Sequence, residues 1–180
     1  MRIHQNRYRF VVWYMLGFLI GILYANFIAR NYITVTGIFH EYFLNQFTQI
    51  QIVTEDYLWY LIRCRILPIV IVAFAGSAGF RKTSVIICLM WTGFAAGILA
   101  VSAVLRMGAK GMLLCLAGIF PQYIFYILAY AVLLYYLYQY PESRWDGKKT
   151  VFVIVMLLSG ILLEVYLNPA IVRGIMKVIL

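Results

Sequence analysis

Residues 112–138 read MLLCLAGIFPQYIFYILAYAVLLYYLY, a run with no charged side chain and one proline, Pro121, near its middle. A helix that crosses the hydrocarbon core of a bilayer needs about 20 predominantly apolar residues, and this run exceeds that. Further apolar stretches lie on both sides of it, at about 10–28, 66–80, 83–105 and 150–167. Hydrophobic residues make up 65% of the chain and charged ones 12%, where an average soluble domain carries about 25% charged residues. The expected fold class is therefore all-α: a polytopic helical membrane protein with about five transmembrane helices in one integral domain, 1–180.

The 15 Lys and Arg against 6 Asp and Glu give a formal charge of +9. The cations sit in short loops beside apolar runs, with no basic helix free to enter a groove. That arrangement fits anionic lipid headgroups and argues against a nucleic-acid partner. Arg2, Arg7 and Arg9 precede the first apolar run in the manner of a signal peptide. The run from Phe10 to Ile28 is longer than a signal core, and no small-x-small site closes it, so it reads as a retained span. Cys64, Cys88 and Cys115 are odd in number and fall in or beside spans, which argues against a disulfide framework. His4 and His40 stand far apart, no Cys/His spacing suggests zinc, and neither metal nor cofactor is expected.

Gly17 and Gly21 lie four residues apart in the first span, as do Gly93 and Gly97 in the third. That spacing puts each pair on one helix face and lets another helix come close. Between the first two spans, Phe39, Phe43, Phe47 and Ile50 recur at helical spacing, the pattern of an amphipathic linker helix over 36–62, suited to lying at the interface or covering the bundle. Thr54 followed by Glu55 and Asp56 marks a helix start. The expected helix runs through Arg65 into the second span, with Pro68 kinking its start. Arg81 and Lys82 make a short turn; Gly108 and Gly111 allow a reversal between Arg106 and Lys110. The loop from Gln139 to Lys149 is aqueous, and Asn168-Pro169 is expected to break the fifth span before a short amphipathic tail.

Placing the N-terminus in the cytoplasm puts Arg2, Arg7, Arg9, Arg81, Lys82, Arg144, Lys148 and Lys149 on that side. Arg30, Arg63, Arg65, Arg106, Lys110, Arg173 and Lys177 fall on the other. The excess is one cation, and the basic N-terminus supports the same orientation.

No His-Glu-x-x-His, Gly-x-Ser-x-Gly, Walker motif or intramembrane Asp pair is present, so the chain is not expected to be an enzyme. The polar residues at membrane depth each allow two readings. Pro121 deprives the Ala117 carbonyl of its helical donor, and the Gln122 amide or a neighbouring helix can supply one. Pro121-Gln122 is then either a structural kink or a site that binds a partner or lines a cavity. Gln122, Tyr126 and Tyr130 share one face, which suits interhelical hydrogen bonding more than a ligand. Glu164 is an acid in the last turns of the fifth span, a functional candidate by default. Arg106 or Lys110 is a candidate partner on its side of the membrane, and so near the boundary it could equally snorkel or be protonated.

The segments Gly93-Phe94-Ala95-Ala96-Gly97, Gly108-Ala109-Lys110-Gly111 and Ile119-Phe120-Pro121-Gln122-Tyr123-Ile124-Phe125-Tyr126, in that order, resemble the stage II sporulation protein M family, in its clostridial-type Pro-Gln form. The broader family often carries Pro-His-Gly, then a Glu and a second Pro; here Gln122 and Tyr123 follow Pro121, and Tyr126 and Leu128 stand in the later positions. The resemblance implies a membrane scaffold that recruits membrane-anchored peptidoglycan hydrolases for septal wall remodelling, itself without hydrolytic activity. On that reading Gly17, Gly21, Gly93, Gly97, Gly111, Pro121, Gln122 and Tyr126 form helix-packing or partner-binding faces, and a homo-oligomer is open. The alternative is a permease or lipid-handling protein, with the kinked fourth helix lining the path.

Overall fold

The computed structural model describes residues 2–28, 30 and 54–179; the expected linker helix lies outside the described residues over 36–53. The described residues are all-helical, with no strand. In chain order they form α1 (Arg2–Phe27), α2 (Thr54–Ser77), α3 (Arg81–Met107), α4 (Ala109–Ile119), α5 (Gln122–Gln139) and α6 (Gly147–Ile179). Four of them, α1, α2, α3 and α6, are long and apolar enough to cross a membrane. The bent pair α4–α5 makes a fifth if counted as one span.

The helix start expected at Thr54 is found there, with Glu55 and Asp56 in the first turn, while three boundaries depart from expectation. The second apolar span is not confined to 66–80 but takes in Glu55–Ser77, running through Pro68 to Ser77 without interruption. The residues expected to close the linker are thus the first turns of the spanning helix, and Arg65 stands well inside it. The run 112–138 divides at Phe120-Pro121, where the axis turns by 61°. Finally, α6 passes through Asn168-Pro169 and ends only at Ile179. A proline removes one backbone hydrogen bond from a helix that has many others, and long membrane helices tolerate this where neighbours compensate.

The turns follow simple chemistry. Gly79, at φ +99, ends α2, and Gly108, at φ +59, reverses the chain between α3 and α4. Both conformations favour glycine, which has no Cβ to clash. Polar side chains inside spans turn back on their own helix. Thr92 donates to the Cys88 carbonyl at 2.9 Å, Ser102 to Ile98 at 2.7 Å and Asn26 to Ile22 at 2.9 Å. Their hydrogen-bonding capacity is met without a partner helix, as an apolar solvent requires.

By packing, the chain divides into two units, Met1–Ile50 with Ile86–Cys115 and Gln51–Val85 with Leu116–Leu180. In the first, the glycine pairs of α1 and α3 face each other. A Cβ on Gly17 would overlap the Met90 carbonyl group and lie 2.8 Å from the Met90 Cα; one on Gly93 would overlap the Tyr14 carbonyl and lie 3.0 Å from the Phe18 nitrogen. Gly21 meets the Phe94 backbone in the same way, and Gly97 that of Phe18 and Ile22. Tyr24 and Phe94 close the contact with rings 5.5 Å apart. Gly111 on α4 lies against the Ala103 backbone of α3.

In the second unit, the short connection 140–146 makes α5 and α6 antiparallel neighbours, and α2 packs on both. The buried face of α6 carries Val153, Leu157, Ile161 and Val165, each four residues from the next and so along one side of the helix. Glu164 lies in that face.

Candidate functional site

Glu164 is 5% exposed, and groups from two other helices meet it. Arg65 of α2 grips the carboxylate with both arms of its guanidinium: Nε donates to Oε2 at 3.0 Å and Nη2 donates to Oε1. The Tyr126 hydroxyl of α5 donates to Oε2 at 2.6 Å. Three helices are thus pinned at one carboxylate, and both of its oxygens are occupied.

The local sequence explains how the groups reach each other. Gly160 stands one turn before Glu164 on α6. A Cβ there would lie 2.5 Å from Cε1 of Tyr126, so glycine is what lets the ring lie against α6 and extend its hydroxyl to the carboxylate. The Arg65 guanidinium then lies over aromatic faces, 4.9 Å from the Tyr126 centroid and 5.5 Å from that of Tyr123. The planar fork of arginine suits this combination of bidentate carboxylate binding and aromatic stacking, which lysine does not reproduce.

Depth follows from helix rise. At about 1.5 Å per residue, Arg65 lies about 18 Å along α2 from Ser77, and Glu164 about 22 Å along α6 from Lys149. Measured from the end of α2 at Ser77 and from the basic end of α6 at Lys149, both fall inside a core about 30 Å thick. Two opposite charges at that depth persist because each neutralises the other; removing one partner of a buried pair costs about 3–5 kcal/mol.

Arg106 and Lys110 were the candidate partners for Glu164, beside snorkelling or protonation; the partner is Arg65. The helix from Thr54 through Arg65 was expected, but its membrane-spanning part was set to begin at Ile66. The apolar span starts at Glu55, and Arg65 stands inside it, in reach of Glu164. The side chain of Arg106 lies outside the described residues, and Lys110 belongs to the first unit.

The break before α5 is built around Gln122, whose side chain is wholly buried. Its Nε2 donates to the Gly118 carbonyl, not to that of Ala117 as expected. The helix ends at Ile119, so Gly118 loses the backbone N–H that a continuous helix would send it from residue 122, and the side-chain amide of the same residue takes that place. The Gln122 Oε1 has no hydrogen-bond partner among the described residues.

The remaining candidates divide between the units. Gly17, Gly21, Gly93, Gly97 and Gly111 serve helix contacts within the first, so those faces are occupied by this chain itself. Pro121, Gln122 and Tyr126 belong to the second. Sequence reading missed Arg65, Tyr123 and Gly160. Two signals were present: an arginine directly before the uncharged run Ile66–Phe80, and a glycine one turn before an intramembrane acid. Among the described residues no three His, Cys, Asp or Glu side chains gather as a metal site. No protein-family model, curated protein or solved structure matches this chain.

Proposed function

We propose that this chain is a non-enzymatic multi-pass membrane scaffold, with its N-terminus in the cytoplasm, that holds membrane-anchored peptidoglycan-remodelling enzymes in place. The observation that carries the scaffold reading is the closed state of the charge cluster. Glu164 is the acid buried deepest among the described residues, and Arg65 and Tyr126 occupy both its oxygens. An acid that relays protons or binds a solute needs a free face; one locked between three helices keeps a platform rigid. What the molecule then presents to its surroundings is apolar helix surface, such as Val11, Met15, Leu19 and Leu23 on α1 and Ile154, Leu158 and Leu162 on α6. The motif resemblance around Pro121-Gln122 supports the class of partner.

Co-expression with a wall hydrolase carrying its own transmembrane anchor tests the proposal. The chain should co-purify on the hydrolase's tag in mild detergent and be lost when that anchor is exchanged for an unrelated helix. Co-purification indifferent to the anchor would overturn it. A permease reading is favoured by one observation, the unpartnered Oε1 of Gln122 beside a helix break, since broken helices with polar midplane groups are what transporters use. Solute flux through proteoliposomes that disappears in Gln122→Ala would replace the scaffold with that reading.

A further inference from the structure

At the end of the second unit remote from Glu164, a cavity of about 530 Å³ opens beside the turn between α2 and α3. Its walls are of two kinds. Arg81, Lys82 and Thr83 supply polar groups, while Phe80, Leu137 and Tyr140 supply apolar and aromatic surface, and Gly79 adds bare backbone. Arg81 is held in place: its Nε donates to the Gly76 carbonyl at 3.2 Å and its guanidinium lies 3.1 Å from the Tyr140 ring centroid. Lys82 is exposed and has no hydrogen-bond or ion-pair partner among the described residues. Around this end Arg144, Lys148 and Lys149 outnumber Glu142 and Asp146. Tyr136, Tyr140 and Trp145 form a linked aromatic group, with ring centroids 6.4 Å and 4.9 Å apart, the composition of a membrane-interface belt.

We infer that this cavity binds the headgroup of an anionic glycerophospholipid, with its phosphate at Lys82 and Arg81 and the start of an acyl chain along Phe80 and Leu137. The volume lies within the range of about 300–1,000 Å³ typical of small-molecule sites. A free phosphate would use the cations and leave the apolar wall idle. A zwitterionic lipid would use the wall and offer a phosphate, but bring its own headgroup cation up against Arg81 and Lys82, with Arg144, Lys148 and Lys149 close to Tyr140 in sequence. An acidic lipid matches both halves without adding a positive charge to a cationic site. This reading is independent of the scaffold proposal and of Glu164.

Native mass spectrometry of the full chain in detergent, with added phosphatidylglycerol or phosphatidylcholine, tests it. Phosphatidylglycerol should be retained in preference. Lys82→Gln should weaken that retention about fivefold, the effect of one lysine at a charged lipid surface, and Lys82→Arg should restore it. Lys148→Gln, which alters a charge at the same end but outside the cavity, should change retention by less than about twofold. Equal retention of the two lipids, or indifference to Lys82→Gln, would overturn the inference. So would displacement of the lipid by millimolar inorganic phosphate, which would mark a free-anion site. Unchanged melting of Lys82→Gln in detergent without added lipid separates loss of binding from loss of fold.

Discussion

The α1–α3 pair and the α2–α5–α6 group answer one physical problem in two ways. Lipid tails are as apolar as leucine, so helices in a bilayer gain little from hiding apolar surface against each other. The first pair is held by proximity: four glycines let two backbones touch, with no side chain between them. The second group is held by charge, one carboxylate shared by an arginine and a tyrosine. The first contact uses many weak interactions, so its failure mode is steric. The second concentrates its energy in a few atoms, and its failure mode is the loss of one partner.

The largest expected effect therefore belongs to the charge cluster. Arg65→Leu leaves Glu164 buried without its cation and should destabilise the protein by about 3–5 kcal/mol, read as a lower detergent-unfolding midpoint. Arg65→Leu combined with Glu164→Leu should recover most of that loss, because the uncompensated charge is gone. Additive single effects in this cycle would break the comparison, since they would show that the two residues do not act on each other.

Next in size is the glycine contact. Gly93→Leu drives a side chain into the Tyr14 carbonyl, and overpacking of this kind costs about 1–3 kcal/mol. Gly93→Ala tests the same contact with a single added carbon, since even a Cβ overlaps backbone there. An alanine variant as stable as the parent in the same unfolding assay would show that α1 and α3 do not approach this closely.

How far these two devices could be read from the chain follows from their chemistry. The glycine pairs were legible because spacing alone places Gly17 with Gly21, and Gly93 with Gly97, on one face. That each would be the other's partner required the tertiary arrangement. Glu164 was visible as an anomaly, an acid in an apolar run. Its partner was missed because Arg65 stands directly before the uncharged stretch from Ile66 and reads as the edge of the span; the helix through it was expected, but not that the span already includes it. Pro169 misled in the opposite direction: a lone proline in a long apolar helix removes too little to end it. The kink at Pro121 was expected, but which carbonyl Gln122 would cap depended on where the helix stopped.

Within the charge cluster, Tyr126→Phe is a smaller perturbation than loss of Arg65. It removes one hydrogen bond to the carboxylate and keeps the ring against Gly160 and under the guanidinium. Interhelical hydrogen bonds in membranes are worth about 0.6–2 kcal/mol, and the loss should fall in that range by the same unfolding assay. A loss as large as that of Arg65→Leu would mean that the hydroxyl, and not the arginine, carries the cluster.

The smallest expected effect is also the most discriminating. Gln122→Leu removes two opposing contributions at once. The amide Nε2 caps the Gly118 carbonyl, a gain of about 0.5–1.5 kcal/mol, while the buried Oε1 has no partner among the described residues, a cost of about 1–3 kcal/mol. Leucine of similar volume loses both, so stability should change by less than about 1 kcal/mol. Gln122→Ala loses both and leaves a cavity as well, so it should be the worse variant. The small size of the leucine effect holds only if Oε1 is empty-handed in the folded protein. Were a bound solute or water to donate to it, as a path through the kink would require, leucine would forfeit that contact too. Gln122→Leu would then destabilise the protein by clearly more than about 1 kcal/mol, and the α4–α5 break would have to be read as a lining and not as a joint.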